Sequence, residues 1–149
     1  MVILSTLKQV ELMRKNWPMF KVLQRTRWLV LWEGSLRPLC QIYMVQILLQ
    51  RMKNYNKSTI PLIPRVTVID PLLRRRSEDP DTPIPHHYPN QYDSKLPLLC
   101  LYDPATKEWH SGCSVARTII PWTIDWLACY EGWLATGEWT GGGRHETAE

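Results

Sequence analysis

Apolar residues recur at steps of three and four near the start of the chain: Ile3, Leu7, Val10, Met13 and Trp17. Lys8, Glu11 and Lys15 fall off that stripe, so the spacing predicts an amphipathic helix. Pro18 ends it, because proline lacks the N–H that a helix needs and its ring clashes with the preceding turn. The period then shortens to that of strands. Residues 20–26 form a short run. Residues 27–33 set Trp28, Val30 and Trp32 against Leu29 and Leu31, apolar on both faces, and residues 39–49 form the longest run. Gly34-Ser35 is expected to turn the chain between the last two. A polar stretch at 53–58 leads to "IPLIPRVTVID". There Pro61 and Pro64 impose extended backbone on an edge-like fourth strand ending near Asp70.

Residues 72–97 show no sustained period. Pro80, Pro83, Pro85, Pro89 and Pro97 punctuate them, with Pro71 just before. They also hold His86, His87, Tyr88 and Tyr92, which marks an ordered, functional loop rather than a linker. "LPLLCLYDPATKEW" follows, with Cys100 inside it. Helical spacing returns at Trp122, Trp126, Tyr130 and Trp133, flanked by Leu127 and Leu134. Pro121 suits the first turn of that helix and Gly137 its end. Sequential strands with no helix between them predict an antiparallel meander with helices packed on one side, an α+β fold.

The chain has 149 residues, which fits a single domain over 1–149. Apolar residues make up 44%, enough to build a core without disulfides. Eight tryptophans against one phenylalanine favour half-buried seams, where an apolar body and one N–H donor are both useful. The net charge of +4 is too mild, and too little interleaved with exposed aromatics, to indicate nucleic acid. Arg74-Arg75-Arg76 runs straight into Ser77-Glu78-Asp79 and is expected to be a solvated loop. Charges from Lys8 onward exclude a secretory signal or a membrane span at the start. The cysteines at 40, 100, 113 and 129 include no Cys-x-x-Cys pair, so reduced thiols and a cytoplasmic setting are expected. His110 and Cys113 have half the spacing of a zinc site without a second half, and no metal or cofactor is expected.

Two readings of Cys100 stand on local pattern. It is a small core residue in a short strand, or a nucleophile held between a proline-led run and the Asp103-Pro104 turn. As a nucleophile it must be reachable, and no cation lies near it in sequence to depress its pKa. Cys129 reads as core and Cys113 as exposed loop. Asn90 is either an oxyanion donor or a turn residue after Pro89. His86, His87 and His110 are candidate bases or loop-fixing residues, and Asp103 either orients an amine or caps its turn. "TGGGRH" lacks the Gly-Lys-Ser/Thr ending of a phosphate loop; its glycines fit a tail packed closely on the body or left mobile.

This order of elements, with a cysteine behind a proline-rich loop, resembles the ubiquitin-conjugating enzyme fold. "WEGSLRPLCQIYMVQILLQRM" resembles its second and third strands, with Tyr43 in the expected alternation. "STIPLIPRVTVI" resembles its fourth. "HHYPNQYDSKLPLLCLYDPATKEW" resembles the segment in which a His-Pro-Asn motif precedes the active-site cysteine. Cys100 falls on the nucleophile and Leu101 on the leucine after it. Tyr88 interrupts a strict motif, so His86 or His87 takes the place of its histidine and Asn90 that of its asparagine. "LCLYDPATKEW", "TIIPWTIDWLACYEGW" and "TGEWTGGGRH" together resemble the stand-alone conjugating-enzyme-like proteins of bacterial type II CBASS antiphage operons. The resemblance implies a four-stranded antiparallel meander with an N-terminal helix and C-terminal helices. It implies a transferase whose cysteine forms a thioester with the C-terminal glycine of a CD-NTase-type cyclic-nucleotide synthase, priming that synthase. Cys100, Asn90 and His87 would be its catalytic residues. The alternative is a catalytically silent protein-binding module of the same fold.

Overall fold

A computed structural model describes residues 2–51 and 64–141. The polar run at 53–58, Pro61, and Gly142 and Gly143 of the tail lie outside the described residues. Helix α1 spans Thr6–Asn16. Strands β1 (Lys21–Arg25), β2 (Leu29–Leu36), β3 (Tyr43–Gln50) and β4 (Arg65–Asp70) form one antiparallel sheet in chain order. A two-residue pair, β5 (His87–Tyr88) with β6 (Leu98–Leu99), follows. A 3-10 turn at Pro104–Thr106 precedes helix α2 (Ile119–Thr136). The fold is α+β as the pattern predicts. Among the described residues, one C-terminal α-helix stands where the resemblance implies several.

Ser5 caps α1, its hydroxyl accepting from the Lys8 N–H at 3.0 Å. The buried face of α1 is rotated from the predicted stripe. Val10 and Met13 are buried and Trp17 half-buried, but Ile3 and Leu7 are 57% and 53% exposed. Polar Thr6 and Gln9 are buried instead. Each has a partner that repays its desolvation: Thr6 donates to the Thr26 carbonyl at 2.9 Å. Gln9 donates to the Cys113 carbonyl at 2.8 Å and accepts from the Val115 N–H at 2.9 Å. The Gln9 bonds fix α1 to the loop ahead of α2, and the Thr6 bond fixes it to the turn between β1 and β2.

Gly34-Ser35 does not turn the chain; both residues lie inside β2. A Cβ at Gly34 would fall 2.6 Å from Phe20 Cγ, so glycine lets the Phe20 ring lie against the strand. The turn comes at 37–42, around Pro38. There the Glu131 carboxylate of α2 accepts from the Cys40 and Gln41 N–H groups at 3.2 and 3.1 Å. Those donors are spent outside the sheet, and β3 starts only at Tyr43. Val30, Trp32, Val45, Ile47, Val66 and Val68 point inward from β2, β3 and β4 and join Met13, Ile119, Ile120 and Leu127 in one buried cluster.

Arg74 and Arg75 are exposed, as expected of a solvated loop, but Arg76 departs from that pattern. Arg76 is half-buried and its Nε donates to the Leu134 carbonyl near the end of α2 at 3.3 Å, where a cation suits the helix dipole. The Arg74 N–H donates to the Tyr130 hydroxyl at 2.9 Å. The loop from 72 is thereby ordered against α2. Gly137 ends α2 with φ 82°, the left-handed cap expected of it.

Candidate active site

β5 and β6 pair His87 with Leu99 and Tyr88 with Leu98. The next step of this short ladder is the Cys100 N–H, which donates to the His86 carbonyl at 3.0 Å. That carbonyl also accepts from Trp126 Nε1 at 2.9 Å. One oxygen therefore ties the cysteine's backbone to α2. His86 has φ 52°, unusual for a residue with a Cβ, and its ring lies 5.1 Å from that of Trp139. Trp139 packs edge-on to Trp126 at 5.2 Å, and Trp126 stacks on Tyr130 at 5.7 Å. The tryptophan helix thus supports the cysteine from behind. Trp126, Tyr130 and Trp133 are buried as their spacing predicts, with Trp122 half-buried.

Cys100 is 1% exposed, the most buried of the four cysteines, so the expected reachable thiol is covered in this conformation. Its Sγ lies 3.1 Å from the Tyr88 hydroxyl and 4.0 Å from the Tyr102 carbonyl. Burial pushes the thiol above its usual pKa; the Tyr88 hydrogen bond pulls it down, and the Asp103 charge pushes it up. Tyr88 is pushed up in turn by burial, then by Cys100 and Asp103. Beside them is a small apolar pocket lined by Pro64, Arg65, Tyr88, Leu98, Leu101 and Tyr102.

Asp103 caps the 3-10 turn after the cysteine, its carboxylate accepting from the Ala105 N–H at 2.9 Å. His87 Nδ1 lies 2.6 Å from the Ile84 carbonyl and fixes the loop entering β5. Asn90 uses both ends of its side chain within the loop joining β5 to β6. Its Nδ2 donates to the Leu96 carbonyl at 2.9 Å, and its Oδ1 accepts from the Tyr92 N–H at 3.0 Å. The fold gathers His86, His87, Tyr88 and Cys100 on one ladder, while Asn90 closes the hairpin beyond it.

The other cysteines lie elsewhere. Cys40 is exposed in the turn before β3. Cys113 is half-buried rather than exposed, its Sγ 4.0 Å from the Glu108 carbonyl. Cys129 is half-buried on α2, where a Cβ at Gly141 would fall 2.5 Å from its Sγ; that first tail glycine packs closely on the body. His110 Nδ1 accepts from the Gly112 N–H at 3.1 Å. Among the described residues no three His, Cys, Asp or Glu side chains are grouped to hold a metal ion. Nor is any helix among them long and apolar enough to cross a membrane.

Sequence reasoning missed two residues here. Tyr88 stood out as a loop aromatic and as an interruption of a motif, and Trp139 only as part of the tail segment, neither with a role at the site. The signal for Tyr88 was its place directly after the His86-His87 pair, which becomes meaningful only once β5 is paired with β6.

The family model described as type II CBASS E2 protein matches residues 9–146, a span that includes every described strand, α2 and Cys100. No curated protein matches the chain.

Proposed function

Since the chain belongs to the type II CBASS E2 family, a family of antiphage defence, we propose that it is a single-domain acyl carrier working through Cys100 in the cytoplasm. The partner is a CD-NTase-type cyclic-nucleotide synthase, joined through its C-terminal glycine, and the conjugation primes that synthase. The family match across Cys100 carries this reading. Thiolates attack acyl carbons well and leave well, so a cysteine can accept an activated acyl group and pass it on. In the step proposed, the Cys100 thiol loses its proton and Sγ forms a bond to the glycyl carbonyl carbon. The bond from that carbon to its activating group breaks, the electron pair leaving with the group. The activated donor is an acyl adenylate or a thioester. His87 and Asn90 hold the loop that presents the cysteine.

The test is co-expression with the synthase and electrophoresis with and without reductant. A thiol-sensitive band at the summed mass is expected. Its absence in the presence of activating machinery would overturn the reading. One observation favours a silent binding module of the same fold: Cys100 is buried and its thiol is pushed above the usual pKa. Stable co-purification without any thiol-sensitive adduct would select that alternative.

A further inference from the structure

The Cys100 thiol donates to the Tyr88 hydroxyl at 3.1 Å, beside a small pocket lined by three leucines with Pro64, Arg65 and Tyr102. This pairing raises a problem that burial alone would make worse. A thiol taken out of water resists ionisation, and the Asp103 charge adds to that resistance. The Tyr88 hydroxyl acts in the opposite direction: once the thiol that now donates to it is ionised, the hydroxyl can turn its own proton to the charged sulfur at the same distance and favour it.

We propose that Tyr88 is a further catalytic residue: its hydroxyl donates the hydrogen bond that stabilises the Cys100 thiolate as it attacks. This rests on Cys100 being the acyl carrier. The fold supports the role in two ways. Tyr88 sits on β5, opposite Leu98 and two residues from the oxygen that receives the Cys100 N–H, so phenol and thiol are held by one ladder. Tyr88 is itself pushed above its usual pKa, so it remains a protonated donor across the working pH range. In the step, Cys100 gives its proton to water and Sγ bonds the acyl carbon. The activating group departs with the electron pair of its bond, and Tyr88 keeps its own proton throughout.

Other polar groups face this pair. Asp103 acts on both Cys100 and Tyr88 from the cap of the 3-10 turn. Tyr102 interacts with Tyr88 from the segment after β6, and Arg65 of β4 lines the adjoining pocket. Asp103→Asn keeps an oxygen for the cap but removes the charge.

The test is the pH profile of Cys100 alkylation by iodoacetamide, read by peptide mapping, with exposed Cys40 as the internal reference. A hydrogen bond to a charged group is worth enough to move a titration by about one pH unit or more. Tyr88→Phe should therefore shift the Cys100 midpoint upward by about one unit without changing the high-pH plateau, and Asp103→Asn should shift it downward. A raised plateau with an unchanged midpoint would make Tyr88 only a cover and overturn the proposal. Should Tyr88→Phe unfold, Cys100 will track Cys40. Site-specific 3-fluorotyrosine at position 88, a stronger donor of nearly the same shape, then decides the matter: a lowered midpoint supports the role and an unchanged one overturns it. These measurements use no synthase, so they stand or fall apart from the proposed partner. With the partner, Tyr88→Phe should slow adduct formation roughly tenfold at neutral pH and recover as pH rises.

Discussion

Trp126 donates its indole N–H to the His86 carbonyl at 2.9 Å. Because that carbonyl also receives the Cys100 N–H, a core tryptophan on α2 helps to set where the cysteine stands. Two substitutions separate the roles of the ring. Trp126→Ala should destabilise the protein by about 3–5 kcal/mol, the range for emptying a large core site. Trp126→Phe keeps most of the volume but leaves one carbonyl bond unmade, and should cost about 1–2 kcal/mol. Denaturant unfolding measures both. A Trp126→Ala protein of unchanged stability would show that this ring is not core.

Cys100→Ser should abolish the thiol-sensitive adduct or convert it into a more stable oxygen ester, since oxygen is the poorer leaving group. Cys113→Ser and Cys129→Ser should retain it. Electrophoresis under reducing and non-reducing conditions distinguishes these outcomes. Loss of the adduct in Cys113→Ser alone would move the nucleophile to the loop before α2.

Replacing the synthase's terminal glycine with a bulky residue should block the adduct and leave noncovalent docking largely intact. Cys100 is buried against Tyr88, next to a small pocket that Tyr88 and Tyr102 line, so bulk beside the glycyl carbonyl would have to be accommodated there. Mass spectrometry of the adduct and a binding titration give the two readings. Equal adduct yield from both tails would remove the steric argument.

Gln9 bridges two backbone groups of the loop before α2 from within the core. Gln9→Leu fits the space but strands a carbonyl at Cys113 and an N–H at Val115. We expect a loss of roughly 2–6 kcal/mol, from about 1–3 kcal/mol for each of the two unsatisfied groups. Thermal unfolding checks this. A loss under about 0.5 kcal/mol, the level of an ordinary surface change, would mean that water replaces both bonds.

Alkaline pH should unfold the protein. Tyr43, Tyr88, Tyr102 and Tyr130 are all pushed above the ordinary tyrosine value of 10.0, each chiefly by burial. A raised pKa in the fold means the native state holds the proton more tightly than the unfolded chain. That contribution is complete below pH about 10 and is lost as pH rises beyond it. The denaturant midpoint should hold steady from neutrality to pH about 9, then fall, with tyrosinate absorbance appearing alongside unfolding. Tyrosinate absorbance at full strength in a still-folded protein would contradict this.

The order of elements was legible in the sequence because it rests on local periodicity. Steps of four, four and three from Trp122 to Trp133 announce a buried helix face whatever it packs against. The strand runs of β2, β3 and β4 were also visible. The end of β4 near Asp70 was visible too, but the turn between β2 and β3 was not. Gly34 looked like a turn because a glycine's local signal is permissive; that it accommodates the Phe20 ring depends on β1 being folded back beside β2. The α1 face was misjudged at Ile3 and Leu7 for a similar reason. A hydropathy stripe cannot anticipate that Gln9 will be buried, since its burial is tolerated only where the Cys113 carbonyl and Val115 N–H meet it.

At the candidate site the division is similar. Proline-bracketed approach and Asp-Pro exit left Cys100 open between core residue and nucleophile, and the family resemblance chose the second; Asp103 was readable as a cap because capping partners lie within a few residues. The cover over the thiol was not readable. It arises from pairing Tyr88 with Leu98 across a loop, from the His86 carbonyl shared with Trp126, and from Trp139 returning onto both. Sequence alone determined the main helices and the four-stranded order, because those follow from neighbours along the chain, while Cys100 was singled out by resemblance to a family and the β5–β6 pair was not legible at all. Only the tertiary structure decided that this cysteine is buried against a tyrosine hydroxyl, because desolvation and charge depend on groups brought together through space.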